Sequence, residues 1–154
     1  MEDIIQIEVL DKGGHGDLKF RVKDLTAHLT FDTYYFILAS EPCDGISDVK
    51  KSIAKFISHW REQIKSMQSG QTKYFPIDIS DQYTGCLKID KQHENLQIAY
   101  GWSREEGHWL DINNPTHYFD SITDFRTDIP HTIFVTQQDF LISLENQIKG
   151  LVSE

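Results

Sequence analysis

One long amphipathic segment constrains the fold of this 154-residue chain more than any other feature. Between Ser47 and Ser69, apolar residues recur at spacings of three and four, which is the period of a helix with one buried face. Ser47 is a favourable N-cap residue, and Gly70 stands where a helix-terminating glycine is expected. The sequence therefore predicts a helix over about 47–69, which must bury its apolar stripe against another layer.

A second helix is predicted near the end of the chain, over about 137–151. Thr136 is followed three residues later by Asp139, and this spacing resembles the capping box that opens many helices. The apolar residues that follow, including Phe140 and Leu144, again share one face. This helix is expected to pack on the same layer as the first.

Short alternating or β-branched runs predict strands in the rest of the chain. They fall at 4–10, 18–23, 25–31, 34–39, 73–79, 85–90, 96–100, 109–112 and 132–135. The first four are expected to form an antiparallel meander, and Pro76 favours an edge position for its strand because proline cannot donate to a ladder. The chain is predicted to be a single α+β domain, 1–154, in which a mostly antiparallel sheet of five to seven strands carries the two main helices on one face.

The charge of the chain limits its partners. The formal net charge is −9 and the sequence pI is about 5.1, so the surface repels nucleic acid and anionic membranes. Such a surface can steer a basic protein into contact. The acidic start lacks the basic and apolar regions of a signal peptide, no apolar run is long enough for a membrane span, and there are only two cysteines. A cytoplasmic protein is expected.

Motifs for catalysis and for cofactor binding are missing from the sequence. There is no phosphate-binding glycine loop, dinucleotide fingerprint, zinc-protease motif or nucleophile elbow. No two of the seven histidines have the spacing of a helical ligand pair. We therefore assign no catalytic residue, metal or cofactor. The alternative is a small hydrolase that uses carboxylate and histidine residues of the 101–131 segment, such as His108, Asp111 and His117.

An acidic and aromatic segment between Asp78 and Asp128 is the most informative feature for function. It contains ten acidic residues against four basic ones, together with seven aromatic side chains. Aromatic side chains anchor protein interfaces, and acidic side chains steer basic partners. The competing interpretation is that the aromatic residues form the core and the acids are incidental. The predicted partner-binding residues are Asp78, Asp81, Tyr83, Trp102, Glu105, Glu106, Trp109, Asp111, Tyr118, Asp120 and Asp124.

Two parts of this segment also carry a resemblance. The run from Tyr74 to Gly85, YFPIDISDQYTG, and the later Gly101-Trp102-Ser103 and Glu106-Gly107 resemble immunity proteins of bacterial polymorphic toxin systems, including those of contact-dependent growth inhibition. The resemblance implies a cytoplasmic protein that binds one cognate toxin domain 1:1, often over its active site. It also implies a basic, frequently nuclease-type toxin, and it implies no catalytic residues.

A third hypothesis is a module that dimerises through its sheet edge.

Overall fold

The computed structural model describes residues 2–153 and has the predicted α+β architecture. Eight strands, four α-helices and one short 3-10 helix lie within these residues. The strands are β1 (Ile5–Val9), β2 (Leu18–Val22), β3 (Leu29–Phe31), β4 (Thr72–Ile79), β5 (Thr84–Gln92), β6 (Asn95–Ser103), β7 (Arg126–Thr127) and β8 (Ile133–Thr136). The α-helices are α1 (Tyr34–Ala39), α2 (Ile46–Ser66), α3 (Thr116–Ser121) and α4 (Gln137–Val152), and the 3-10 helix is Gly107–Trp109.

The strands form two antiparallel sheets. β1, β2 and β3 make a three-stranded meander, and the five-stranded sheet has the order β4-β5-β6-β7 with β8 also paired to β6. Pro76 lies in β4, which pairs only with β5, so the predicted edge position is confirmed. The split into two sheets arises because the chain leaves the first sheet after Phe31 and passes through α1 and α2 before it re-enters β structure.

Helix α2 joins the two sheets through its apolar stripe. The ring of Trp60 is fully buried between Phe20 of β2 and Phe75 of β4, at centroid distances of 6.4 and 5.6 Å. Ile53 and Ile57 lie on the same buried face. Burial of one such side chain contributes roughly 1.5–3 kcal/mol, so this stripe is a main source of cohesion between the sheets.

Helix α4 protects the outer edge of β1. The backbone N–H of Ile5 donates to Ser143 Oγ at 2.7 Å, and that of Ile7 donates to Gln147 Oε1 at 2.9 Å. Exposed strand edges invite unwanted pairing, and here polar side chains of a helix satisfy the edge instead. The C-terminal helix therefore completes the N-terminal sheet.

Several sequence predictions for local structure are wrong. Residues 34–39 form α1 and not a strand, because Phe36 packs on Phe56 of α2 at 5.2 Å and a short apolar run has no decisive period. Residues 109–112 contain no strand, since Trp109 ends the 3-10 helix Gly107–Trp109 and residues 110–112 lie in a bend and the start of a turn. The third strand is also shorter than predicted. Helix α2 starts one residue earlier than predicted and ends at Ser66.

The predicted start of α4 is confirmed and can be tested by substitution. The hydroxyl oxygen of Thr136 accepts a hydrogen bond from the Asp139 backbone N–H at 3.0 Å. Thr136→Ala should lower the free energy of unfolding by about 1 kcal/mol, since it leaves this donor without a partner. Urea unfolding measures the change. Thr123→Ala, at an exposed position outside helices and strands, is the matched control, and an equal loss in both variants would contradict the cap.

Candidate functional site

The register of the central strands brings three separate parts of the sequence together. Asp78 of β4 lies opposite Gly85 of β5, and Gly85 lies opposite Trp102 of β6. A register shift between Pro76 and Asp78 precedes this row. Because cross-strand neighbours point to the same face of a sheet, the Asp78 and Trp102 side chains flank the side-chain-free Gly85 position.

A cavity of about 330 Å³ occupies this position, and we call it the Asp78 pocket. Its lining residues are Asp78, Tyr83, Gly85, Tyr100, Gly101, Trp102 and Asp128. Glycine is required at position 85, because a Cβ atom there would lie 2.8 Å from the Asp78 Cβ and 2.9 Å from the Tyr100 hydroxyl oxygen. The pocket therefore exists because the strand pairing places a residue without a side chain between an acid and an aromatic ring.

Aromatic rings form the walls of the Asp78 pocket. Tyr83 and Trp102 meet edge to face, with ring centroids 6.4 Å apart and an interplanar angle of 75°. The guanidinium of Arg126 lies 5.9 Å from the centroid of the Trp102 ring, within the range of a cation–π contact. Tyr83 is 39% exposed, so part of this wall is open to an incoming group.

The pocket is electrostatically negative. Burial raises the pKa of Asp78 to about 6, hydrogen bonding from Tyr83 partly opposes this rise, and the charge of Asp32 adds to it. The negative charge of Asp78, followed by burial, raises the pKa of Tyr83. Burial also raises the pKa of Tyr100, with further contributions from the charges of Asp78 and Asp128. Salt bridges within residues 2–153 include neither Asp78 nor Asp128.

Three acidic residues, Asp81, Glu105 and Glu106, lie within four residues of pocket residues in the sequence, and we call them the acidic rim. Asp81 lies two residues before Tyr83 in the β4–β5 turn and accepts a hydrogen bond from the Tyr35 hydroxyl. The Gly107 N–H donates to the Ser80 carbonyl oxygen at 2.7 Å, which ties the loop that carries Glu105 and Glu106 to this turn. The rim is therefore held on two connected loops.

Trp109 provides an exposed aromatic surface after the acidic rim. Its side chain is 71% exposed, and its ring lies 5.0 Å from the ring of His108. His108 in turn lies 3.5 Å from a Glu106 carboxylate oxygen. A large exposed aromatic side chain beside acidic groups is typical of a protein-binding surface.

The structure brings only part of the predicted binding set together. Asp78, Tyr83 and Trp102 line the pocket, and Asp81, Glu105 and Glu106 form the acidic rim. The other exposed acids have local roles elsewhere. Asp111 accepts from the Asn113 backbone N–H, Asp120 pairs with Lys73 at 3.0 Å, and Asp124 accepts from the Arg104 backbone N–H.

Tyr118 does not belong to an accessible surface. It is 1% exposed, and its hydroxyl bonds Ser103 Oγ at 2.8 Å and also the Thr84 hydroxyl. It packs with Cys86 and Ile122 in a small second hydrophobic cluster. The predicted partner contact of Tyr118 is therefore replaced by a structural role. Helix α3 directs this ring inward, and Ser103 and Thr84 satisfy its hydroxyl.

Besides the two glycines of the lining, the predicted binding set lacks two pocket residues with functional side chains, Tyr100 and Asp128. Both lie within the acidic aromatic segment, so composition pointed to the region but not to these positions. Asp128 joins the pocket because its backbone N–H donates to the Tyr100 carbonyl oxygen at 3.1 Å, just after β7. A two-residue strand such as β7 leaves almost no pattern in a sequence.

Within positions 2–153, no three or more His, Cys, Asp or Glu side chains are grouped in a way that could hold a metal ion. His108, Asp111 and His117, which the hydrolase alternative requires, do not form such a group. None of the helices in this range has the length and apolar character needed to cross a membrane.

Comparisons with known proteins give one distant structural similarity. No protein-family model and no curated protein matches the chain. Among solved structures, the chain is similar to a chain of the CdiA-CT/CdiI toxin and immunity complex from Enterobacter cloacae. The identity is 14%, the TM-score is 0.45, and the match covers 95% of this chain and 91% of that chain. At these values the similarity transfers no residue role, partner or activity.

Proposed function

We propose that this chain is a cytoplasmic immunity protein that binds and neutralises one cognate, basic toxin domain. The observation that carries the proposal is the Asp78 pocket, whose two carboxylates form no salt bridge within residues 2–153 and lie beside open aromatic side chains and the acidic rim. Such a surface is complementary in charge to a basic cleft of the toxin. For a nuclease-type toxin, its negative charge would mimic that of the nucleic-acid substrate. The sequence resemblance described above motivates the choice of a toxin as the partner.

The geometry of this surface favours recognition over catalysis. Interface energy concentrates in a few buried anchors, often aromatic, which are surrounded by contacts that exclude water. Trp102 and Tyr83 can act as such anchors, while the acidic rim raises the rate of encounter with a positive surface. Both cysteines are unpaired, which suits a reducing compartment.

The test uses the product of the gene next to this one. The two proteins should form a 1:1 complex, and the complex should suppress the toxicity of that product when both are made in one cell. Isothermal titration measures affinity and stoichiometry, and stopped-flow mixing should show association that slows as salt is added. Unabated toxicity, or no complex at low salt, would exclude the proposal.

A charge-matched pair of variants tests the location of the binding surface. Asp81→Asn, Glu106→Gln and Asp128→Asn together should weaken binding about tenfold or more, chiefly through slower association. The control combines Glu62→Gln, Glu94→Gln and Asp139→Asn. These three exposed acids belong to α2, the β5–β6 turn and α4, and they do not line the pocket. Equal losses in both triple variants would mean that only net charge matters and would refute this surface.

A further inference from the structure

The Asp78 pocket is lined by three groups that can accept hydrogen bonds, and neither of its two carboxylates forms a salt bridge within residues 2–153. They are the carboxylates of Asp78 and Asp128 and the hydroxyl oxygen of Tyr100. Tyr100 is 5% exposed and lines the cavity, and none of the side-chain hydrogen bonds formed by residues 2–153 involves its hydroxyl. Because this oxygen opens into the cavity and makes no side-chain hydrogen bond within residues 2–153, it is free to pair with a bound group.

The chain's own cations do not fill this need. Arg126 lies over the Trp102 ring, but its guanidinium forms no salt bridge with a pocket carboxylate. Burial, followed by the negative charges of Asp78 and Asp128, raises the pKa of the Tyr100 hydroxyl, so this group stays neutral. The lining thus contains two carboxylates and one phenol, and no basic side chain of residues 2–153 forms a salt bridge with either carboxylate.

The chemistry of the lining specifies a positively charged donor. Carboxylates can only accept hydrogen bonds when ionised, and the faces of Tyr83, Tyr100 and Trp102 attract cations through their ring quadrupoles. The volume of about 330 Å³ is at the lower end of the range for small-molecule sites. It therefore suits one side chain and is too small for a folded segment.

We propose that the Asp78 pocket receives the ammonium group of one lysine side chain of the partner protein. This inference rests on the proposed function and names the contact at its centre. An ammonium group has three donors on a compact head, which match three separate acceptors, whereas the flat guanidinium fork is suited to a single bidentate carboxylate. The apolar stem of a lysine can lie along Trp102 and Tyr83.

The first experiment needs no toxin. Purified protein labelled with ¹⁵N is titrated with Nα-acetyl-lysine-N-methylamide, with the arginine analogue and with the uncharged norleucine analogue. The lysine probe should give saturable shifts of the Gly85 and Gly101 amides and of the Trp102 indole, and the norleucine probe should give none. Equal shifts with norleucine, or tighter binding of the arginine probe, would overturn the inference.

Variants of the pocket locate the bound ammonium. Asp78→Asn should weaken binding of the lysine probe about tenfold, because it removes one charge from the site and keeps its shape. Asp139→Asn, at the exposed start of α4, is the matched control and should leave the titration unchanged. Loss of probe binding in the control, or retention in Asp78→Asn, would contradict the assignment.

The second experiment uses the complex and separates the two proposals. Each lysine of the toxin is replaced by methionine in turn, and affinities are measured against wild type and Asp78→Asn. For one toxin lysine, replacement by methionine should lower the affinity for the wild-type protein about tenfold. The same replacement should leave the affinity for Asp78→Asn almost unchanged, which is the pattern of a direct contact. If the complex forms but no lysine shows this coupling, the lysine contact is wrong and the proposed function stands. If the probe binds but no toxin does, the proposed function fails and the cation pocket remains.

Discussion

Gly101→Ala is expected to destabilise the protein by about 3 kcal/mol, the cost of severe overpacking. A Cβ atom at position 101 would lie 2.0 Å from the Arg126 carbonyl oxygen and 2.6 Å from the Phe125 ring. Backbone atoms cannot rotate away as a flexible side chain can. The substitution should therefore push β7 away from β6. Urea unfolding monitored by tryptophan fluorescence measures the loss.

The same substitution should also disturb the Asp78 pocket. Asp128 reaches the pocket through the hydrogen bond from its backbone N–H to the Tyr100 carbonyl oxygen, and this bond follows directly after β7. Displacement of β7 should break the bond, and hydrogen exchange of the Asp128 amide should accelerate more than that of amides in the β1–β2 meander. An unchanged exchange rate would contradict the close approach.

Gly150→Ala is the matched control for Gly101→Ala. Gly150 lies in α4, and a Cβ atom there would meet nothing within 4 Å. Alanine is the better helix former by up to about 1 kcal/mol, so this variant should be as stable as wild type or more stable. If Gly101→Ala lowers the free energy of unfolding and Gly150→Ala raises it, the close contact at position 101, and not glycine flexibility, causes the loss of stability.

Asp78→Asn is expected to stabilise the fold at neutral pH. Burial raises the pKa of Asp78 from its ordinary value of 3.8 to about 6, so ionisation of this carboxyl costs the folded state up to about 3 kcal/mol. We expect about 2 kcal/mol, because part of the side chain meets solvent. The neutral amide avoids this cost and fills nearly the same volume.

The pH dependence gives the sign of this effect. The folded state binds the Asp78 proton more tightly than the unfolded state does. The associated stability is therefore present below pH 4 and is lost as pH rises through about 6. Asp78→Asn should thus gain most over wild type at pH 8 and least at pH 4. Thermal unfolding from pH 4 to pH 8 measures this difference.

Glu94→Gln serves as the control for that series, since Glu94 is exposed in the β5–β6 turn. Its difference from wild type should stay small and show no step near pH 6. If the stability gained by Asp78→Asn does not change with pH, the cost of ionising a buried carboxyl is not its cause. A variant that is more stable and also binds its partner less well would identify Asp78 as a residue kept for function.

The helices and strands with strong local patterns could be predicted from sequence. The apolar stripe of α2, the Thr136 cap and the β5–β6 hairpin each depend on neighbours within a few residues. Residues 34–39 were predicted wrongly because a run of apolar residues suits a strand as well as a buried helix, and only packing of Phe36 on Phe56 selects the helix.

For the site, the amino-acid sequence specifies the acidity, the aromatic content and their concentration between Asp78 and Asp128. The tertiary structure decided which of these residues meet. The strand register places Asp78 opposite Gly85 and Trp102, β7 delivers Asp128, and α3 turns Tyr118 into the interior. These contacts join positions far apart in the chain, so no local spacing encodes them. The charge of this segment follows from its composition, whereas the Asp78 pocket depends on the path of the backbone.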